Sequence, residues 1–413
     1  MSARSVQVQA GFACIFALIA CGDQASPTDQ LEKLKVVNSD RSDLPLPGLS
    51  REWNQRFVSG DGLFERPFSD ALGLGPVYIR QSCNSCHAGD ARGPGAVRKM
   101  VLVGDDGRTP ALDQSALAYG HTVRPQLAAG AGLGITVPED RADVLVTKRE
   151  PPAVYGRGYI EAVLDSEIER VEAEQAEHGR VSGRINWVEY YSEPNPDTRY
   201  HASPRGVPLI GRFGLKARIA SLDEFAADAF QGDMGITSDL RPTELPNPSA
   251  EDDELPGIDV DADTVNRVAD YMRLLRIPRR AEAAQDKRGQ KLFEATGCAD
   301  CHVPALRTRD DYPIEALAGI DAPVYSDLLL HDMGPDFSDG LRDFDAEGSE
   351  WRTAPLLGLR YLPRYLHDGR AETLDEAIEL HGAEGSEARS SVERFRALPA
   401  SQRETLLQFV SAL

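Results

Sequence analysis

Cysteine and histidine are scarce in this chain, which holds six of the one and eight of the other in 413 residues. Methionine (5) and tryptophan (3) are rarer still, so few side chains can bind a transition metal or carry an electron. Basic charge is short as well. Lys and Arg number 45 against 66 Asp and Glu, and a formal charge of −21 makes nucleic acid a poor partner. An acidic surface of this size keeps a protein soluble and steers a basic partner over distance. Sustained apolar/polar alternation is hard to find, whereas capped helical segments separated by Gly- and Pro-rich loops recur, so the chain reads as mainly α. Its length allows two or more domains.

The longest apolar run, Gly11 to Ala20, is too short to span a bilayer and fits the core of a secretory signal opened by Arg4. Its end, Leu18-Ile19-Ala20-Cys21, resembles the lipobox at which bacterial lipoproteins are cleaved and acylated on the new N-terminal cysteine. Gly22 follows where an aspartate would signal retention at the inner membrane. This predicts a signal over 1–21, lipidation at Cys21, a polar tether over 22–44, and a periplasmic protein held to the outer membrane by its lipid alone. An ordinary cysteine beside a plain cleavage site is the alternative.

With Cys14 in the signal and Cys21 at the lipid site, four cysteines remain as two pairs, Cys83/Cys86 and Cys298/Cys301. Each pair is followed at once by histidine, giving CNSCH with His87 and CADCH with His302. Cys-x-x-Cys-His is the spacing by which two thiols reach the two vinyl groups of one haem while the imidazole meets the iron. Zinc and thioredoxin-like chemistry also use CxxC pairs and stay open, but four Cys and two His exceed one tetrahedral zinc site.

Asp286 to Glu294, with Gly289 and Phe293 one helical turn apart just ahead of CADCH, resembles the opening helix of a class I cytochrome c. A capping box at Ser401–Glu404 followed by Leu406, Leu407, Phe409, Val410 and Leu413 predicts a closing helix. The matching helix of an earlier domain is expected between Thr264 and Pro278, whose apolar face is Val265, Val268, Tyr271, Met272 and Leu275. The pattern predicts two cytochrome c-like haem domains, 45–280 and 281–413, the first enlarged by a long insertion. Within that insertion a helix is expected from Glu161 to His178, ended by Gly179, and another from a capping box at Ser221–Glu224. The acidic stretches Glu251–Glu254 and Asp259–Asp263 read as solvated loop; a calcium site there is the alternative, although the spacing is not that of an EF-hand.

Trp351-Arg352-Thr353-Ala354-Pro355-Leu356-Leu357-Gly358 and Leu366-His367-Asp368-Gly369-Arg370-Ala371 resemble motifs of the di-haem oxidoreductase family, once labelled thiol oxidoreductases. So do Leu63–Phe68, Gly211–Ala217, Asp233–Thr237 and Leu330–Gly334. The second domain is similar, more distantly, to bacterial di-haem cytochrome c peroxidases. There a His-x-Gly turn precedes a helix bearing the second axial ligand. Here the turn is His367–Gly369, the helix opens at a capping box Thr373–Glu376, and His381 falls at the ligand position. The resemblance implies two covalent haems, His302 and His381 closing the C-terminal iron for electron transfer, and a reactive N-terminal haem on His87. At that haem, His121 and Met234 are candidate distal groups. Met333 is a further ligand candidate, and Arg352 and Arg370 suit haem propionates. His331 and His367 read as braces, Trp351 as a buried core residue or an electron relay, and His178 and His201 as solvent-facing. The implied activity is peroxidase-like, fed by an exported donor such as a cytochrome c or cupredoxin. A non-catalytic electron carrier and a small-molecule sensor are the competing functions.

Overall fold

The computed structural model describes residues 44–90, 97–103, 117, 119–139, 141–201, 205–247 and 257–413. The expected signal, Cys21, nearly all of the tether, and Glu251–Glu254 lie outside the described residues, as does the side chain of His178. No described helix is long and apolar enough to cross a membrane.

Helix α1 (Arg51–Glu65) is capped by Ser50, whose side chain accepts from Trp53 N. A short helix α2 (Cys83–Cys86) follows, then α3 (Arg157–Ala162), α4 (Asp165–His178), α5 (Leu222–Met234) and α6 (Ala262–Leu274). The C-terminal part adds α7 (Lys287–Ala295), α8 (Leu374–Leu380), α9 (Arg389–Ala397) and α10 (Ala400–Ser411). The strands form two-stranded antiparallel pairs. The longest joins β1 (Val97–Leu102) to β2 (Val144–Arg149), and β3 (Leu306–Arg307) pairs with Asp321–Ala322. Helices predominate, as the composition of loops and caps predicts.

Two helix crossings organise the site. Alpha1 crosses α6 at Gly60, where an added Cβ would overlap Arg267 O, and α7 crosses α10 at Gly289, where it would meet Phe409 Cβ at 2.5 Å. Each glycine is followed one turn later by a phenylalanine buried to within 3 % of its surface, Phe64 and Phe293, each contributing about 1.5–3 kcal/mol of burial. The larger core runs from Leu46 to Leu357 and takes in Leu306, Ile314, Val324 and Leu329, so it crosses the boundary expected near residue 280. A smaller core gathers Phe293, Tyr325, Phe395, Leu406 and Phe409.

Several local expectations differ from the structure. The helix expected over Glu161–His178 is broken, because Val163 bridges Thr308 and Leu164 N donates to Arg307 O at 3.0 Å, drawing the chain onto β3. The Ser221 capping box does not form. Glu224 instead accepts from Tyr191 N (2.7 Å), and Glu161 of α3 takes the start of α5 by accepting from Leu222 N (2.8 Å). Ser401 is not a cap either, since α10 begins at Ala400 behind Pro399. Beneath these helices the fully buried Arg273 binds Glu161 (2.6 Å), Asp270 (3.1 Å) and Asp223 (3.3 Å), tying α3, α5 and α6 together. Deleting one partner of such a buried set costs about 3–5 kcal/mol. His201 joins it through Nε2 at 2.7 Å from Asp223 Oδ1, and so is not the solvent-facing residue expected.

Candidate functional site

Helix α2 starts the first site. Ser82 Oγ accepts from Ser85 N at 3.1 Å, Ser85 Oγ accepts from Ser82 N at 3.3 Å, and His87 N closes the turn on Cys83 O at 2.9 Å. Cys83, Cys86 and His87 thereby line one wall of a cleft with about 700 Å³ of empty space, part of it open to solvent. The other walls come from Phe64 of α1, Arg157 of α3, Phe230 and Met234 of α5, and Met272 of α6. The Arg273 cluster, by locking α3, α5 and α6, fixes three of these walls.

Burial pushes the Cys83 thiol up to about 12 and Cys86 up to about 11, with each also facing the charge of Asp233. Both described pairs are free of disulfides. Raised in this way, the Cys83 and Cys86 thiols are both neutral at ordinary pH.

Asp233 opens the family-like segment Asp233–Thr237, and its place in the cleft gives it a role that the resemblance did not imply. It precedes Met234 at the end of α5 and lines the cleft, where burial first, and then Asp228, raises its carboxyl above the usual range. Met234 and Met272 line the same cleft, whereas His121 is not among its lining residues. His121 sits beside β1, its Nδ1 3.0 Å from Met100 O and its carbonyl accepting from Met100 N.

The second site is built differently. Gly297 takes a left-handed turn (φ 82°) after α7, and Thr296 Oγ1 lies 3.3 Å from Cys298 Sγ. His302 Nδ1 is 3.1 Å from Tyr325 O, and His381, at the end of α8, has Nδ1 2.6 Å from Ala377 O. A carbonyl on Nδ1 holds the imidazole in the tautomer whose Nε2 is free to bind a metal. Burial and then His381 lower His302 to about 4, and burial lowers His381. Both rings are neutral donors at ordinary pH.

Around this pair the expected braces are visible. His331 Nε2 is 2.8 Å from Asp327 Oδ2, and its Nδ1 is 2.9 Å from Glu387 Oε2 and 3.7 Å from Cys301 Sγ. Cys301, Asp327 and His331 offer donor atoms within 4.8 Å of one another, but both His331 nitrogens already face carboxylates, and Cys298 is not in the group. His367 stacks on Trp351 at 3.7 Å and 13°, with Lys216 Nζ 4.0 Å from the indole centroid, so Trp351 is a packed core residue. Buried Arg352 donates to Gly214 O (3.1 Å) and Thr353 O (3.0 Å), and Arg370 pairs with Asp368 at 2.6 Å. Met333 packs against Ser386. The described part of the acidic stretch is engaged locally: Asp259 accepts from Thr237, Asp261 caps α6, and Asp263 pairs with Arg267.

Comparison with known proteins gives one family. No curated protein matches. Among solved structures, a hydrazine synthase of Kuenenia stuttgartiensis is 17 % identical, over 98 % of this chain and 100 % of that one, with a TM-score of 0.38. A MauG-like protein associated with microbial copper homeostasis is 16 % identical, over 91 % and 92 %, with a TM-score of 0.41. The di-haem peroxidase BthA of Burkholderia thailandensis is 15 % identical, over 87 % and 86 %, with a TM-score of 0.38. None of the three bears on the assignment, which rests on a family model described as "Di-haem oxidoreductase, putative peroxidase". It matches residues 132–413, and so takes in CADCH, His381 and Asp233 but begins after CNSCH. With most of its length matched in this way, the chain belongs to the di-haem oxidoreductase family.

Proposed function

We propose that the chain is an exported di-haem c-type oxidoreductase with peroxidase-like activity, reactive at the His87 site and supplied with electrons through the His302/His381 site. The observation that carries this is the unlike partner groups. His302 faces a second, tautomer-fixed imidazole, while His87 opens onto a cleft that holds Asp233 and no second histidine among its lining residues. Cys83 and Cys86 would hold one haem and Cys298 and Cys301 the other, with His87, His302 and His381 on the irons. An iron with two strong axial ligands suits electron transfer, and one with an open position binds and reduces a small molecule such as peroxide.

What the protein supplies at the first site is proton handling and exclusion of water. Phe64, Phe230 and Met272 keep the cleft apolar, and Asp233 stands in it with a carboxyl that holds its proton more tightly than usual. It gives a proton to a departing oxygen and recovers one from solvent, the role a positioned acid plays in general acid–base catalysis. At the second site, Tyr325 O and Ala377 O hold the two imidazoles in place, so little rearrangement accompanies a change of charge.

Export, the lipid anchor at Cys21, the periplasmic location and a cytochrome c or cupredoxin donor complete the reading. A net charge of −21 suits a basic donor. A second reading, a non-catalytic electron carrier, draws on Met234 and Met272, since either sulfur closing the first iron would leave no open position.

Redox titration with parallel spectroscopy separates the two. The enzyme shows two haems per chain by pyridine haemochrome and a high-spin or five-coordinate signal at one of them, at the latest after half reduction, and peroxide alters that signal. Two low-spin haems in every redox state, indifferent to peroxide, would leave the carrier. His381→Met raises the potential of the low-spin haem and changes its near-infrared ligand band; an unchanged spectrum removes His381 from the iron.

A further inference from the structure

The rings beside His87 continue beyond the cleft. Phe64 lies 6.2 Å from the imidazole, Tyr271 5.1 Å from Phe64, and Phe57 5.2 Å from Tyr271, all as centroid separations. Phe57 and Trp53 are one turn apart on α1 and so share a face. Trp53 then stands 6.5 Å from Tyr200. The rings form two groups along the α1/α6 crossing, His87–Phe64–Tyr271–Phe57 and Trp53–Tyr200, bridged by the single turn of α1 between Phe57 and the half-buried Trp53; this series is the ladder. At the second site, Phe293, Tyr325 and Phe409 form instead a closed triangle with centroids 5.7–6.3 Å apart.

Tyrosine and tryptophan can lose an electron where phenylalanine cannot, provided the proton has somewhere to go. Tyr200 donates its proton at 2.8 Å to Asp270, a carboxylate already engaged by Arg56, Arg199 and Arg273. Trp53 is half-buried, and its indole N–H donates to no partner among the described residues, so its proton can leave to water. The Arg199 guanidinium, 5.1 Å over the ring, disfavours a cationic indole and so favours that loss. A neutral radical on Trp53 is the state these charges select.

We propose that Trp53 is a surface oxidation site for one-electron reductants, linked to the His87 site through Phe57, Tyr271 and Phe64. This rests on the reactive-site reading above. Peroxide, taking two electrons and two protons to give two waters, leaves the site short of two electrons. One of these is supplied through the His302/His381 site and the other is drawn from Trp53 along the ladder, with the indole proton passing to solvent. A phenol or aromatic amine too large for the cleft then returns an electron and a proton to Trp53.

The test mixes di-haem protein brought to half reduction with hydrogen peroxide and a nitroso spin trap, follows peroxide consumption, and maps trap adducts on peptides by mass spectrometry. Wild type gives an adduct on Trp53. Tyr271→Phe and Trp53→Phe, which keep an aromatic ring in place, consume peroxide in the first turnover as wild type does but lose that adduct. Peroxide consumption by wild type with no adduct on Trp53, or with an adduct undiminished in Tyr271→Phe, overturns the relay and leaves the reactive site standing. A wild type that consumes no peroxide overturns the reactive site and the relay together.

Discussion

The two CxxCH segments sit in nearly the same frame and face unlike groups. Each follows a helix with glycine and phenylalanine one turn apart, Gly60/Phe64 and Gly289/Phe293, and each such helix crosses another at its glycine. Near His302, close enough to disfavour its protonation, is His381, fixed by Ala377 O. Across from His87 lies a cleft lined by a carboxylate and two thioethers. The frame therefore says only where a haem would be held. What that haem would do is decided by segments far away in sequence, α5 and α6 for the first site and α8 for the second.

The sharpest way to break this comparison is at the groups that differ. Asp233→Asn removes a titrating carboxyl from the first site and nothing from the second. On the proposed reading, peroxide turnover falls by about 10²–10⁴-fold, the usual worth of a general acid or base, while both haems and the low-spin spectrum persist. Steady-state peroxide reduction with an artificial donor measures it. Turnover within a factor of about 2 of wild type would remove Asp233 from the chemistry and make the two sites more alike than their linings suggest.

Some of this contrast was legible in the sequence and some was not. The CxxCH pairs are contiguous, so local spacing exposes them, and resemblance to the di-haem peroxidases picks out His381 beyond His367–Gly369. Asp233 falls in the family-like segment Asp233–Thr237, but its meaning comes from where the end of α5 lands against α2, over a hundred residues away. Gly60 and Phe64 were equally readable as a copy of Gly289 and Phe293, but the 18 residues between Phe64 and Cys83 hid the parallel. The failed caps at Ser221 and Ser401 have tertiary causes. Glu161 reaches across from α3 in one case, and Pro399 starts the helix early in the other. The β1/β2 pair was missed because its strands are separated by 41 residues and only partly buried.

A smaller effect tests the shared part of the frame. Gly60→Ala and Gly289→Ala each place a methyl where there is no room, and overpacking of this kind costs about 1–3 kcal/mol. At Gly60 the methyl would strike the Arg267 carbonyl oxygen and Tyr271 Cβ, whereas at Gly289 it would meet only Phe409, whose ring can turn although its Cβ cannot. Thermal unfolding should therefore show a larger drop in Tm for Gly60→Ala. Equal drops would mean that both crossings yield to the same extent.

The smallest predicted effects have opposite signs at the two sites. Glu387 is lowered to about 2, with burial opposing and the His331 hydrogen bond prevailing. A carboxyl depressed in the folded state stabilises it above its unfolded value of about 4.5, and that stability is lost as pH falls from there towards 2. Asp233 is raised, so its ionised form is a burden that grows as pH climbs above the unfolded value for aspartate, about 3.9. Glu387→Gln should thus flatten the loss of Tm on acidification between about pH 4.5 and 2. Asp233→Asn should leave that limb in place and hold Tm at neutral pH at or above the wild-type value. Tm measured against pH for both variants decides it. A neutral-pH drop in Asp233→Asn would mean that the carboxylate is stabilised by Lys99 and Arg218 more than burial penalises it, and that the first site is built around a charge.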